Sequence, residues 1–498
     1  MPRRSSHPPG RLGRRRWIQG GLGSAGALTL GSGCAASTEQ PEHEGCALHP
    51  APEPVYGSPS ARTEALASAF LDVPIDGVFA LCTQRLQDHT PDELLAALLV
   101  AGARSIPPDS GDGLHATLSI HAALHLHRQL PGPEGLVPIY YASRALKFRQ
   151  AGDGQLGPMP TLIERTPEDA LRRFDDAMAA LDPEAADTAV LELFASAPTP
   201  VAIERLIRWS TREQGAIGHL MIWFGLAIRS LDSLGWQHAP DVLRSVVRDA
   251  TARSPGFLSP LHDEHLARLQ SIAAPIGPCK TDEGLTRELV AELRLKEPVA
   301  AAAYVLGLLE ASAPTAATWD GFAVSATEDL IRGGEGFALH RFDGMNALHH
   351  LCLRSADPLT QQLVMVQTAA YMCLFQARQG ADVLTVEPQP IAAIDEIFDG
   401  VALGPLTAAE RVLGHLASGG TVQPVHARAQ ALTVQMAHRV DEHSYKFPVA
   451  VIEETQLASD PWKPLVLAAI GGQQGRSPST VGPQWQHYDE VLAEIDSL

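Results

Sequence analysis

Residues 218–235, "GHLMIWFGLAIRSLDSLG", decide how the chain folds. Leu220, Trp223, Phe224, Ala227 and Leu231 recur three and four residues apart, the period of one α-helix face, and a glycine stands at each end. The same pattern returns in "PDELLAALLVAGARS" (91–105), "LHATLSIHAALHLHRQL" (114–130), "PEDALRRFDDAMAAL" (167–181), "APDVLRSVVRDAT" (239–251) and "PLTQQLVMVQTAAYMCLFQARQG" (358–380). No stretch sustains strand alternation with hairpin signals. Aromatic residues make up only 5% of the chain while Ala and Leu abound, which favours helix over sheet. The expected fold is therefore all-α, a large multi-helix bundle over 62–498. Pro-rich joints near 155–160 and 273–279 either divide it into two helical subdomains or are loops of one continuous bundle.

Ahead of this body lie two segments of different character. Residues 1–34 combine Arg14 and Arg15, then Trp17 and Ile18, with a short, weakly apolar run that carries no charge. That is the layout of an export leader and is too short for a bilayer span. It resembles a twin-arginine signal. Cys34 ends a lipobox-like "LTLGSGC", so lipid attachment at Cys34 and plain cleavage nearby are both open. A GxGxxG match at Gly21, Gly23 and Gly26 lies inside the leader with no strand before it and does not read as a dinucleotide site. Residues 35–61 are rich in Pro, Ser and Glu without periodicity and read as a flexible tether.

Charge narrows the range of partners. Of 38 Lys and Arg residues, six arginines precede Cys34 and no acid does, which leaves a net charge of −25 on the remainder. Such a surface repels phosphate backbones, so no nucleic-acid partner is expected. The expected location is the periplasm, free or as a membrane-anchored lipoprotein, with membrane contact only through a lipid at Cys34. Cys46, Cys82, Cys279, Cys352 and Cys373 include no CxxC pair; Cys352 and Cys373 lie in apolar helical text and read as buried thiols.

The chain has 20 histidines. His115, His219 and His340 each follow a glycine closely at the mouth of an apolar, small-residue helix, and His443 opens "DEHSYKFP" (441–448) in similar surroundings. Helices entering a bundle in this way can bring several imidazoles to one point, and neutral imidazole binds Fe, Zn, Cu or Ni. Elsewhere the histidines read more plainly. His262 and His265 form an HxxH on a helix face expected to be solvated; His349 and His350 are adjacent, so at most one faces any given site; His121 and His125 are an i, i+4 pair with metal spacing. Lys446 stands three residues after His443, on the same helix face. Spacing alone favours a surface ion pair of Lys446 with Asp441 or Glu442, and Pro448 predicts a kink or restart of the helix.

Taken in order, "LHATLSIHAALHLHRQL", "IGHLMIWFGLAI", "FALHRFDGMNAL" and "DEHSYKF" resemble the four histidine blocks of the questin oxidase-like family. These are helical proteins that include fungal enzymes opening anthraquinone-type rings with oxygen, and the resemblance spans about residues 90–450. It implies a non-haem Fe2+ held by His115, His219, His340 and His443, with Lys446 as a CO2-derived carbamate. It leaves His121 as an alternative to His115 for the first ligand. The departures are Gly218, where the family has an aromatic, and Asp343 in the third block. Asp441 (with Glu442), Asn346 and His121 are the candidate catalytic residues beside those ligands.

The expected function is an exported iron-dependent oxygenase or oxidase, acting with O2 on a small molecule of aromatic or polyketide type. Two alternatives use the same residues differently: a Zn2+-dependent hydrolase or lyase, and a non-catalytic envelope lipoprotein that binds a metal or an apolar ligand.

Overall fold

Gly218 and Gly235 both take positive φ angles (79° and 113°), and between them His219–Leu234 forms one uninterrupted helix. Its apolar face is buried: Trp223, Phe224 and Leu231 have no exposed surface. The computed structural model describes residues 56–105, 114–150, 156–212, 217–252, 259, 261–272, 275–333, 337–374, 384–401, 403–435, 442–472 and 486–498. Among these every regular element is an α-helix or a short 3-10 turn, with no strand. The all-α expectation therefore holds. No helix among the described residues is long and apolar enough to cross a membrane. The leader with Cys34, and most of the tether, lie outside the described residues. The first helix begins at Ala61, where the Ser60 hydroxyl caps the Thr63 amide.

Ten helices build or brace the histidine site. They are α1 (Pro91–Ser105), α2 (Leu114–Leu118), α3 (Ile120–Gln129), α4 (Val137–Arg149), α5 (His219–Leu234), α6 (Thr315–Ile331), α7 (Phe337–Arg354), α8 (Pro358–Leu374), α9 (Val422–Gln435) and α10 (His443–Leu457). Helix α5 packs on α2, α3 and α7, and α7 in turn lies against α6, α8 and α10. Helix α10 also touches α3 and α9. Phe342 of α7 meets Phe447 of α10 edge-on, with ring centres 5.6 Å apart, and both are fully buried. Truncating either ring to Ala would cost about 3–5 kcal/mol by leaving a cavity the helices cannot close.

One buried cation ties three of these helices together. Arg341 of α7 has no exposed surface; it donates to the Met372 carbonyl of α8 at 2.7 Å, to the Ser325 carbonyl and hydroxyl of α6 at 2.9 and 2.8 Å, and ion-pairs with Asp329. A buried guanidinium needs this full set of acceptors to offset its desolvation. The set fixes the start of α7, one residue after His340.

Of the kink or restart that Pro448 predicts, the restart is not found. Helix α10 runs through it from His443 to Leu457. At the sixth position proline removes only one hydrogen bond, the one to the Ser444 carbonyl, and the helix is held by packing along its fully buried middle.

Candidate metal centre

The four histidines singled out by sequence all stand in the first turn of a helix. His219 and His443 are the first residues of α5 and α10, His115 is the second of α2, and His340 lies in the opening turn of α7. Four helices thus converge by their N-termini, and their imidazoles meet.

An imidazole bound through nitrogen at about 2.0–2.1 Å has its ring centre about 3.2 Å from the ion, so ligands at right angles have ring centres about 4.5 Å apart and opposite ones about 6.4 Å. The rings follow that pattern. Around the circuit, His115–His443 is 4.5 Å, His443–His340 4.7 Å, His340–His219 5.1 Å and His219–His115 5.1 Å. Across it, His115–His340 is 6.5 Å. The Nε2 atoms of His340 and His443 are 3.1 Å apart. Donor atoms of His115, His340 and His443 all fall within 4.8 Å of one another. Lys446, one turn into α10, brings Nζ to 2.5 Å from His115 Nδ1.

Two glycines and a tyrosine position this ring. The Tyr371 hydroxyl donates to the His340 carbonyl at 2.5 Å and lies 3.3 Å from the Ile217 carbonyl, so one side chain of α8 spans the entries of α5 and α7. A Cβ on Gly218 would meet that hydroxyl at 2.6 Å and one on Gly344 at 2.4 Å. Gly218 is also left-handed, so a glycine in "IGH" serves both the turn and the close approach. Trp223, four residues after His219, stacks on that imidazole at 4.9 Å and 3° and meets His115 edge-on at 4.7 Å. Its ring centre is 5.4 Å from the Lys446 nitrogen.

Burial divides the ring into an inner and an outer half. His115, His219 and Lys446 are buried (2%, 7% and 4% exposed), whereas His340 and His443 are half-buried. Burial, then the Lys446 charge and then the neighbouring imidazoles, push His115 well below the usual histidine range. It is a neutral donor, the form a metal requires. Lys446 is not on the surface that spacing favours for it: it is buried and points toward His115, and Glu442 accepts two bonds from Arg149 of α4 at 3.1 Å. Asp441 lies outside the described residues.

His121 does not join the ring. Its Nε2 bonds Glu453 Oε1 at 2.9 Å, and of the two imidazoles the resemblance left open only His115 sits beside the other three. Asn346 is buried one helical step further from the centre, donating to Glu454 at 3.1 Å and accepting from Arg229 at 3.1 Å. His349 bonds Glu454 at 2.8 Å, and His350 faces Glu453 at 4.0 Å, so the adjacent pair does serve two different carboxylates. The solvated face expected for His262 and His265 is not found. Both are buried; His262 Nε2 pairs with the Thr211 hydroxyl at 3.1 Å, and His265 Nδ1 accepts from Gln367 at 2.8 Å. Their helix packs against α8, which takes that face out of solvent.

Sequence reasoning missed Trp223, Tyr371, Arg229, Glu453 and Glu454. For the two acids a signal exists: "VAVIEET" sets adjacent carboxylates in otherwise apolar helical text, where unpartnered charge is too costly to bury. Cys82, Cys352 and Cys373 are free thiols, Cys352 buried and Cys373 partly so, and Cys279 is disulfide-bonded. Comparison with family models, curated proteins and solved structures finds no match.

Proposed function

We propose that the chain is a metal-dependent oxygenase or oxidase for a small molecule, with iron held by His115, His219, His340 and His443 and with Lys446 as a carbamate. The observation that carries this reading is the meeting of His115, His340 and His443, whose donor nitrogens lie within 4.8 Å of one another, with the His219 ring beside His115 and His340 and a buried lysine at the inner edge. Four neutral imidazoles bring no negative charge, and the helix N-termini that carry them are positive. A divalent cation there calls for an anionic donor. Addition of CO2 to the neutral Lys446 amine forms an N–C bond, releases one proton and supplies that anion.

Iron so held would supply O2 activation and a Lewis acid for an oxygen atom of the substrate. The residues of the chain do the remaining work. Trp223 covers the His219 and His115 rings and keeps water from the inner half. Tyr371 and Gly218 fix where His219 and His340 enter. The half-buried His340 and His443 edge leaves the side on which an aromatic or enolic substrate would approach. An extracytoplasmic location agrees with the twin-arginine-like leader and with a disulfide at Cys279, since such bonds persist in oxidising compartments.

The deciding experiment is metal analysis of the mature chain with O2 consumption titrated against bicarbonate. Iron near one per chain, lost in Lys446→Ala and retained in His415→Ala, supports the reading. Zinc as the only native metal would turn it toward a hydrolase or lyase, and the absence of any bound metal would overturn it.

A further inference from the structure

Beneath the histidine ring lies a second polar cluster, centred on Glu453. Glu453 follows Lys446 by two helical turns on the same face of α10. Nitrogen surrounds its carboxylate. His121 Nε2 and His125 Nδ1 of α3 lie 2.9 and 3.6 Å from Oε1; Arg229 of α5 ion-pairs with Oε2, and His350 Nε2 of α7 is 4.0 Å from the same oxygen. His426 lies on α9, which packs against α3. The neighbouring Glu454 is taken by Asn346 and His349.

An ion pair of Glu453 with Arg229 is complete without histidines, so three imidazoles around it exceed what structure requires. Nδ1 of His121 and Nε2 of His125 and His426 make no hydrogen bond among the described residues. Burial holds His121 and His426 at about 4 and lowers His125 and His350, so the rings are neutral near pH 7. A neutral imidazole donates at one nitrogen and accepts at the other, which is what a proton chain needs. A cavity of about 20 Å³ reaches both Lys446 and the pair His121–Glu453; it has room for one water.

We infer that the Glu453 cluster is a proton relay between solvent and the histidine centre, a role that rests on the metal-centre reading above. In the outward direction the cavity water, having taken a proton from the centre, protonates Nδ1 of His121 as the His121 Nε2–H bond breaks and a Glu453 Oε1–H bond forms. That bond breaks as a His125 Nδ1–H bond forms, and His125 gives up its Nε2 proton toward solvent on the α9 side. One proton crosses, the carboxylate returns to its anionic state, and Arg229 remains its counter-ion throughout. His121, Glu453 and His125 are positioning and transfer groups; none touches the reacting atoms.

Cobalt(II) in the full mature chain tests this without substrate. Its visible spectrum is followed after a stopped-flow pH jump, in wild type, Glu453→Gln, His121→Asn and His125→Gln. The relay predicts unchanged cobalt content and unchanged spectral end points, with relaxation slowed at least about tenfold in His121→Asn and His125→Gln and partly restored by added imidazole. Should Glu453→Gln fail to fold, the two histidine variants, which keep the Arg229 pair, carry the test. Cobalt uptake with equal relaxation in those variants, or a cobalt spectrum that ignores pH, overturns the relay and leaves the centre standing. No cobalt uptake by wild type overturns both.

Discussion

The side-chain nitrogen of Lys446 lies 2.5 Å from Nδ1 of His115, a residue 331 positions earlier in the chain. Both partners are buried. The contact puts the one lysine of the site where a negative donor would neutralise a bound cation. Lys446→Ala is expected to lower metal affinity at least about tenfold, whereas Lys446→Glu, which restores a carboxylate, retains part of it. Equilibrium dialysis of both variants with and without bicarbonate checks this, and equal affinities would count against the carbamate.

Tyr371 makes the entry of two histidine-bearing helices depend on one hydroxyl. Tyr371→Phe should cost about 1 kcal/mol in urea unfolding for the lost bond to His340 and also weaken metal binding. Gly218→Ala is expected to cost about 1–3 kcal/mol, because the left-handed backbone and the tyrosine hydroxyl both oppose a methyl group. An unaltered midpoint in Gly218→Ala would show that the entry of α5 is looser than the contact distances require.

Trp223 provides an optical reporter. It stacks on His219 at 4.9 Å, so a paramagnetic ion in the ring should quench its emission. With seven tryptophans in the chain the loss is partial, and Trp223→Phe should abolish it. Quenching that persists in that variant would locate the ion elsewhere.

Acid should weaken the fold before any carboxylate titrates. Burial depresses His262 from 6.5 to about 4. Between those values the unfolded chain binds the extra proton, so this contribution is complete above pH 6.5 and is lost as pH falls through 4. For His262 alone the loss between pH 7.5 and 5 is about 2 kcal/mol. Urea unfolding at the two pH values should show it, with a smaller slope in His262→Gln; parallel slopes would contradict the assignment.

Much of this architecture was legible in the sequence because helical period and glycine punctuation are local signals. Residues 218–235 carry both, and His219 stands where they place it. The convergence of His115, His219, His340 and His443 was legible only as four similar contexts, since no short-range pattern records that helices 100 residues apart share an end. The inward turn of Lys446 was hidden for a different reason. Spacing offered it Glu442, and only the tertiary contact of Glu442 with Arg149 removes that partner. His262 and His265 misled in the opposite sense: an HxxH among acids looks solvated until the helix it packs against is known.

The four histidine-bearing helix starts are drawn from near the beginning, the two middle stretches and near the end of the folded body. A nascent chain halted anywhere before Lys446 therefore has no centre at all, only scattered imidazoles. An ion seated there would act as a clasp on the finished molecule: it would close three long loops at once, each at an entropy cost that grows only slowly with length. Its removal should then lower the cooperative unfolding midpoint of the whole body rather than fray one corner.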